Sequence, residues 1–316
     1  MTKPAVLLVS RLPEPLAGRL RERFDCHALA DVDAAGLQAL APQLRGMVAT
    51  GESLVSRALM ASLPALEVIS VLGVGYDGID MAAARERGIC VTHTPGLSTD
   101  DIADFAMALL LAAARQVVNA DQFVRRGDWS TGRFPMTRRV SGARLGIIGL
   151  GRIGRAVAQR ALAFGMEIAY TGRAAKADAP YRWCSDAQTL AASVDFLVVC
   201  ASGGADTRAL VNADVLAALG PSGVLVNIAR GSIVDEDALI TALRERQILA
   251  AGLDVFCHEP HVPPALLALD NVVLTPHIAS ATHETRRAMA DLVLENLESF
   301  FATGAVRTPV PGTPGA

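Results

Sequence analysis

Three residues with complementary chemistry sit in turns that directly follow apolar runs. Arg230 lies in Asn227-Ile228-Ala229-Arg230-Gly231-Ser232, Glu259 in Gly252-Leu253-Asp254-Val255-Phe256-Cys257-His258-Glu259-Pro260, and His277 follows Val272-Val273-Leu274-Thr275-Pro276. An arginine fork grips a carboxylate and a carbonyl oxygen together. A histidine titrates near neutral pH and can protonate an alkoxide as it develops. A carboxylate bonded to the imidazole orients the ring and favours its protonated form. Reduction of a 2-keto acid needs this set. Each residue also has a structural alternative: Arg230 pairing with Asp235 or Asp237, Glu259 capping the turn before Pro260, and His277 as a satisfied histidine after Pro276.

The alternatives lose weight because a second signal accompanies the three. Gly149-Leu150-Gly151-Arg152-Ile153-Gly154 follows one apolar run and opens a helical pattern. In such a strand–turn–helix, the first glycine permits the tight turn, the second lets a pyrophosphate approach, and the third lets helix and strand pack. The N–H groups of the helix start then face the phosphates. About twenty residues on, an NAD site expects an acid for the ribose 2′-hydroxyl. Here Thr171 occupies that position, Arg173 follows, and Lys176 is close behind. With no carboxylate to repel a 2′-phosphate and an arginine to bind it, the expected cofactor is NADP, with NADPH favoured over NADH. The alternative for Arg173 is a solvated loop arginine.

These turns need strands and helices to hold them. Apolar runs at 5–9, 46–49, 68–72 and 89–92 read as one series of strands; runs at 144–148, 167–170, 195–199, 223–227, 250–253 and 272–274 read as a second. Helical patterns lie between most of them, including 80–87, 153–164 and 235–244. Continuous Val/Ile/Leu runs indicate parallel strands covered on both faces. The fold class is therefore α/β, with two doubly wound parallel-sheet, Rossmann-like domains. Ser98 or Thr99 is expected to cap a long helix over about 102–124. A terminal helix over 283–301 is expected to cross back to the first unit, with a loose Pro/Gly-rich tail at 308–316.

Bulk properties narrow the function classes. The chain has 316 residues, a 51% hydrophobic fraction and a net charge of −3. No global attraction to nucleic acid or anionic membrane is expected. The five cysteines are scattered without a Cys-x-x-Cys pair, so neither a disulfide framework nor a metal site is expected. The N-terminal apolar run 5–9 is too short for a signal-peptide core and the longest run, 105–114, is about half of a membrane span, so a cytoplasmic location is expected. No metal is assigned to His27, His93, His258, His261 or His283.

At this point the pattern resembles the D-isomer-specific 2-hydroxyacid dehydrogenase family across nearly the whole chain. The carrying segments are Val71-Leu72-Gly73-Val74-Gly75-Tyr76-Asp77-Gly78-Ile79-Asp80, residues 149–154, 227–231, 252–260, and 276–282. Within the family the chain looks most like NADPH-dependent glyoxylate/hydroxypyruvate reductases and the hydroxyphenylpyruvate reductases. Thr171-Gly172-Arg173 and the run 277–286 support that branch.

The resemblance implies a substrate-binding domain of residues 1–98 plus 284–316, a dinucleotide-binding domain of 99–283, and catalysis in a cleft between them. It implies that the backbone of Val74 and Gly75 joins Arg230 in holding the substrate carboxylate. A Gly-rich turn with exposed N–H groups is independently a reasonable anion nest, its alternative being a plain tight turn. The resemblance places Cys200, Ile228, Ala229 and His277 along the cofactor, and Asp254 and Ser280 at the nicotinamide carboxamide. It puts Ser202 and Thr207 near the adenosine, where Cys200-Ala201-Ser202-Gly203-Gly204 departs from the family's usual Cys-Pro-Leu-Thr. Cys257 and His258 also replace a more usual acidic or polar pair. Family members are commonly homodimers joined through their nucleotide domains, and the helix from Ile102, with Trp129 and Phe134 after it, is the segment that would supply that surface, core packing of the same aromatics being the alternative.

The substrate stays open in the sequence. Glyoxylate and hydroxypyruvate ask for a small pocket, hydroxyphenylpyruvate for apolar room, and 2-ketogluconate is a further alternative; Leu97, Trp129 and Phe134 are the residues expected to narrow it. A phosphoglycerate-type dehydrogenase would be expected to carry an added regulatory domain. An NADP-sensing binding protein on this fold would be expected to carry extended tails or basic stretches.

Overall fold

The structure, a computed structural model, describes residues 3–315. Two compact units emerge: one formed by the chain up to Ser98 and from Thr282 onward, the other by Thr99–Ala281. The first contains strands β1 (Ala5–Leu8), β2 (Asp25–Ala28), β3 (Leu44–Thr50), β4 (Val68–Leu72) and β5 (Cys90–Thr92). They form one sheet in the order β2-β1-β3-β4-β5, every pair parallel. The second contains β6 (Arg144–Ile148), β7 (Glu167–Thr171), β8 (Arg182–Cys184), β9 (Phe196–Val199), β10 (Val224–Asn227), β11 (Ala250–Leu253) and β12 (Val272–Leu274). Its order is β12-β11-β10-β9-β6-β7-β8, again all parallel. Two Rossmann-like parallel sheets are thus present, as the apolar runs imply.

Strand alternation explains those runs. In the second unit Leu145 and Ile147 of β6, with Phe196 and Val198 of β9, enter one core. Ile148, Leu197 and Val199 enter the core on the opposite face. In the first unit Ile69 and Val71 of β4 face one core, while Val68 and Leu72 face another. Helices cover both faces, so the apolar positions of the central strands are buried on either side, and exposure is confined to a few strand-end positions such as Arg45 and Arg144. The helix His283–Thr303 buries Met289, Val293, Leu294 and Leu297 against the second of these first-unit cores. Thr282 caps it by accepting from the Thr285 amide, which explains why the chain rejoins the first unit at Thr282.

Three local expectations need correction. The helix expected over 102–124 is two helices, Thr99–Arg115 and Val117–Arg125, broken at Gln116 with φ 51°. The Ala114 carbonyl accepts from the Arg138 amide, at 3.1 Å, instead of continuing the ladder. The tail is not loose: Thr92 and Pro309 form an antiparallel bridge, the Val310 amide donates to Val91 O at 2.7 Å, and Val310 is completely buried. Strands β2 and β8 have no counterpart among the apolar runs, because both are sheet edges with partly exposed residues.

Candidate active site

Arg230, Glu259 and His277 stand in the turns after β10, β11 and β12, on the C-terminal side of one parallel sheet. Each turn is fixed by its own small network. After β10, the buried Asn227 side chain accepts from the Ala229 amide at 3.1 Å and donates to Arg230 O at 2.9 Å. Arg230 Nη1 donates to Ala229 O at 2.7 Å. Gly231 lets this turn lie directly on the next: a Cβ there would meet the Phe256 carbonyl carbon at 2.0 Å.

In the turn after β11, Glu259 Oε1 accepts from the Phe256 amide at 2.9 Å, and the Glu259–Pro260 peptide is cis. Glu259 Oε2 lies 2.7 Å from His277 Nδ1. Burial alone would raise the Glu259 carboxyl, but the bonds from His277 and the Phe256 amide, with the charges of His277 and Arg230, outweigh it and hold the group below its ordinary value. An ionised carboxylate only accepts, so Nδ1 bears the hydrogen and Nε2 is the ring's other nitrogen.

Asp254 builds the last turn. It is completely buried; Oδ1 accepts from Thr275 Oγ1 at 2.6 Å and the Ile278 amide at 2.9 Å, and Oδ2 accepts from the Ala279 amide at 2.8 Å. His277 sits between these anchors at φ 52°, its amide donating to Asp254 O. A left-handed histidine costs free energy, and the Asp254 network holds it there. Sequence reasoning assigned Asp254 only a nicotinamide contact; its position at the end of an apolar run, one strand before the histidine, carried no signal of this second duty. Ser280 follows three residues after His277, half-buried.

The dinucleotide turn occupies the point where strand order reverses, between β6 and β9. The three glycines differ as the chemistry requires. Gly149 has φ 94°, and a Cβ there would meet Ala201 N at 2.7 Å. Gly154 lies against the Gly149 carbonyl, which an added Cβ would approach to 2.3 Å. At Gly151, which caps the helix Arg152–Ala163, an added Cβ meets nothing within 4 Å. That open face, backed by the amides of Arg152 and Ile153, fits a pyrophosphate.

Thr171 ends β7 buried, and exposed Arg173 and Lys176 follow it. Their loop is held at two places: the hydroxyl of buried Tyr170 accepts from the Lys176 amide at 2.7 Å, and Arg155 Nη2 reaches both oxygens of Asp178 at 2.7 and 2.9 Å. These residues fit a 2′-phosphorylated ribose. After β9, burial pushes the Cys200 thiol up to about 12. Thr207 Oγ1 donates to Ser202 O at 2.8 Å, so both residues shape their own loop. Ile228 and Ala229 are buried beneath the Arg230 turn.

Val74 and Gly75 lie in the first unit, in the turn after β4. The Gly73 carbonyl accepts from the Thr94 amide at 2.8 Å, and the Val74 carbonyl lies 2.9 Å from His93 Nδ1. His93 meets Tyr76 edge-on, ring centroids 5.4 Å apart. Sequence reasoning passed over His93, because a histidine at a strand end has no distinguishing neighbour in the chain.

Comparisons with known proteins identify the family. Residues 107–279 match the family model described as D-isomer specific 2-hydroxyacid dehydrogenase, NAD binding domain. A 2-ketogluconate reductase from Gluconobacter oxydans is 44% identical over 98% of this chain and 99% of its own length. A hydroxyphenylpyruvate reductase from Plectranthus scutellarioides is 46% identical over 85% of this chain and 86% of its own. Among solved structures, an NADPH-dependent glyoxylate/hydroxypyruvate reductase from Sinorhizobium meliloti, in complex with NADP and malonate, superposes with a TM-score of 0.94 at 44% identity, covering 99% of this chain and 98% of that one. The chain belongs to the D-isomer-specific 2-hydroxyacid dehydrogenases, oxidoreductases whose NAD-binding domain it carries in its second unit.

Proposed function

We propose that this enzyme reduces a small 2-keto acid of the glyoxylate or hydroxypyruvate type to the 2-hydroxy acid, with NADPH as reductant and His277 as general acid. The observation that carries the reading is the 2.7 Å Glu259–His277 pair on turns that pack against the Arg230 turn. With its pyrophosphate at the 149–154 turn and its carboxamide toward Asp254 and Ser280, NADPH would supply the hydride for the keto carbon. The chain's own groups do the rest. His277 gives its Nε2 proton to the developing alkoxide while Glu259 keeps the ring in orientation. We assign Arg230 to the carboxylate and the keto oxygen, and the Val74 and Gly75 amides to the carboxylate as well. Since the ring must be protonated to donate, reduction weakens as pH rises through the histidine's pKa, and oxidation of the hydroxy acid gains.

Preference for NADPH rests on Thr171 in place of an acid and on Arg173 and Lys176 beside it. The NADP complex of the Sinorhizobium meliloti relative supports the same reading. We assign Asp254 and Ser280 to the carboxamide side of the cofactor, and Ser202 and Thr207 to the adenosine end. A second reading, reduction of 2-ketogluconate, is favoured by the Gluconobacter oxydans relative, which matches along 98% of this chain. Exposed Val117, Val118, Trp129 and Met136 support a homodimer joined through the second unit. Five free cysteines suit a reducing, cytoplasmic setting. Among the described residues no helix is long and apolar enough to cross a membrane.

The test is oxidation of NADPH against glyoxylate, hydroxypyruvate, hydroxyphenylpyruvate and 2-ketogluconate, repeated with NADH. The highest kcat/KM on glyoxylate or hydroxypyruvate supports the first reading, and the highest on 2-ketogluconate the second. No turnover on any of the four, with NADPH bound tightly, overturns both.

A further inference from the structure

We propose that His93 is a positioning residue for substrate recognition, one that aims the backbone amides of Val74 and Gly75 at the carboxylate of the keto acid. The inference rests on the reading that those amides hold the carboxylate, and it concerns what makes them able to do so.

A trans peptide is planar, and its N–H points opposite to its C=O. The Gly73 carbonyl shares a peptide with the Val74 amide, and the Val74 carbonyl shares one with the Gly75 amide. Both carbonyls are held from the same neighbouring segment, by the Thr94 amide at 2.8 Å and by His93 Nδ1 at 2.9 Å. Both N–H groups are therefore turned away from that segment. Among the described residues neither of them donates to a protein acceptor. Two successive amides pointing outward make an anion nest. A carbonyl can only accept, so His93 carries its hydrogen on Nδ1 whatever its charge.

The ring is itself held. It meets Tyr76, from the same turn, at an interplanar angle of 86°. The His93 amide donates to Thr308 O at 3.2 Å, and the His93 carbonyl accepts from Thr308 Oγ1 at 2.6 Å. Thr308 Oγ1 in turn accepts from Nδ2 of Asn296, which is completely buried, and Asn296 Oδ1 accepts from the Arg307 and Thr308 amides. The C-terminal strap therefore fixes the backbone of His93, and His93 fixes one of the two peptides that face the carboxylate.

Two substitutions separate the donor from the ring. His93→Phe keeps an aromatic edge against Tyr76 and removes the hydrogen-bond donor. His93→Asn loses the ring and keeps a donor, since the amide nitrogen of asparagine takes the place of Nδ1. The measurement is kcat/KM for the keto acid that the enzyme turns over best and for the methyl ester of that acid, with NADPH affinity measured alongside. Loss of one aimed hydrogen bond to a charged group predicts that His93→Phe erodes the preference for acid over ester by about 10-fold, through KM for the acid. His93→Asn should stay within about 3-fold of wild type on the same scale. NADPH affinity should not change in either. An undiminished preference in His93→Phe, or an equal loss in both variants, overturns the proposal while leaving the carboxylate reading intact. A wild-type enzyme that does not distinguish acid from ester overturns the carboxylate reading, and the role of His93 with it.

Discussion

Two glycine-rich turns, one in each unit, present backbone amides at the C-terminal ends of parallel strands, and they are aimed by different means. The turn after β6 runs straight into the helix Arg152–Ala163, whose first amides have no partner within the helix. Its direction comes from the helix and from three glycines in tight or open contact. The turn after β4 has no helix directly behind it; the next one, Met81–Glu86, starts several residues later behind the Asp80 cap. Its carbonyls are instead tethered from behind by Thr94 and His93. A helix start suits a ligand that recurs unchanged, such as a pyrophosphate. A tethered turn depends on individual side chains and can be retuned one residue at a time.

The largest effect should come from a change that touches neither turn. His277→Gln should lower kcat by about 10³-fold, the scale of a lost general acid, with NADPH affinity and keto-acid KM nearly preserved. A comparable rise in either binding constant, measured by steady-state kinetics and fluorescence titration, would mean that chemistry and anion grip are not separable. Gly154→Ala breaks the helix-backed turn alone: its Cβ has the Gly149 carbonyl 2.3 Å away. Overpacking of this kind predicts NADPH binding weaker by about 10- to 100-fold, and less for the ester-to-acid preference. Arg173→Ala leaves the turn intact and should reduce the NADPH-over-NADH ratio of kcat/KM by about 10-fold.

The smallest effect separates the two sheets. Asp195, at the start of β9, accepts from Arg144 and Arg138 with its side chain 21% exposed, and the Arg144 bond foremost holds its carboxyl down to about 2. Its counterpart in the first unit, the Arg45–Glu67 pair across β3 and β4, leaves Glu67 44% exposed. Asp195→Asn should cost about 1–2 kcal/mol by denaturant unfolding, and Glu67→Gln only about 0.3 kcal/mol. Because the folded-state value of Asp195 is depressed, its stabilisation is complete above about pH 4 and disappears as pH falls through about 2. An Asp195→Asn loss that persists unchanged at acid pH would remove the ion pair as its cause.

Much of this arrangement is legible in the chain. Central strands such as β4 and β6 show as unbroken apolar runs because they are covered on both faces, and the residues in the turns after them can be read directly. Edge strands lose that signal: Asp-Cys-His-Ala and Arg-Trp-Cys look like loops because they are partly wet. The break at Gln116 escapes notice because its cause, the Arg138 amide on Ala114 O, comes from over twenty residues away. The pinned tail has the composition of a loose one; only the groove that accepts Val310 reveals otherwise. Within the site, residues that do chemistry have distinctive types. Residues that shape the turns around them, Asp254 and Asn227 in the second unit and, on the proposal above, His93 in the first, are recognisable only through the backbone groups they bind.

The contact at Gly231 bears on how such an enzyme can diversify. With no room for even a methyl group between the Arg230 turn and Phe256, the cation and the acid–histidine pair form a cassette that tolerates little drift. Neither half can be tuned for a new substrate without disturbing the other. Variation in substrate choice is left to residues outside that cassette. A mutagenesis library aimed at new keto acids should therefore freeze residues 227–231, 254–259 and 275–279 and randomise the first unit around Val74 and Tyr76.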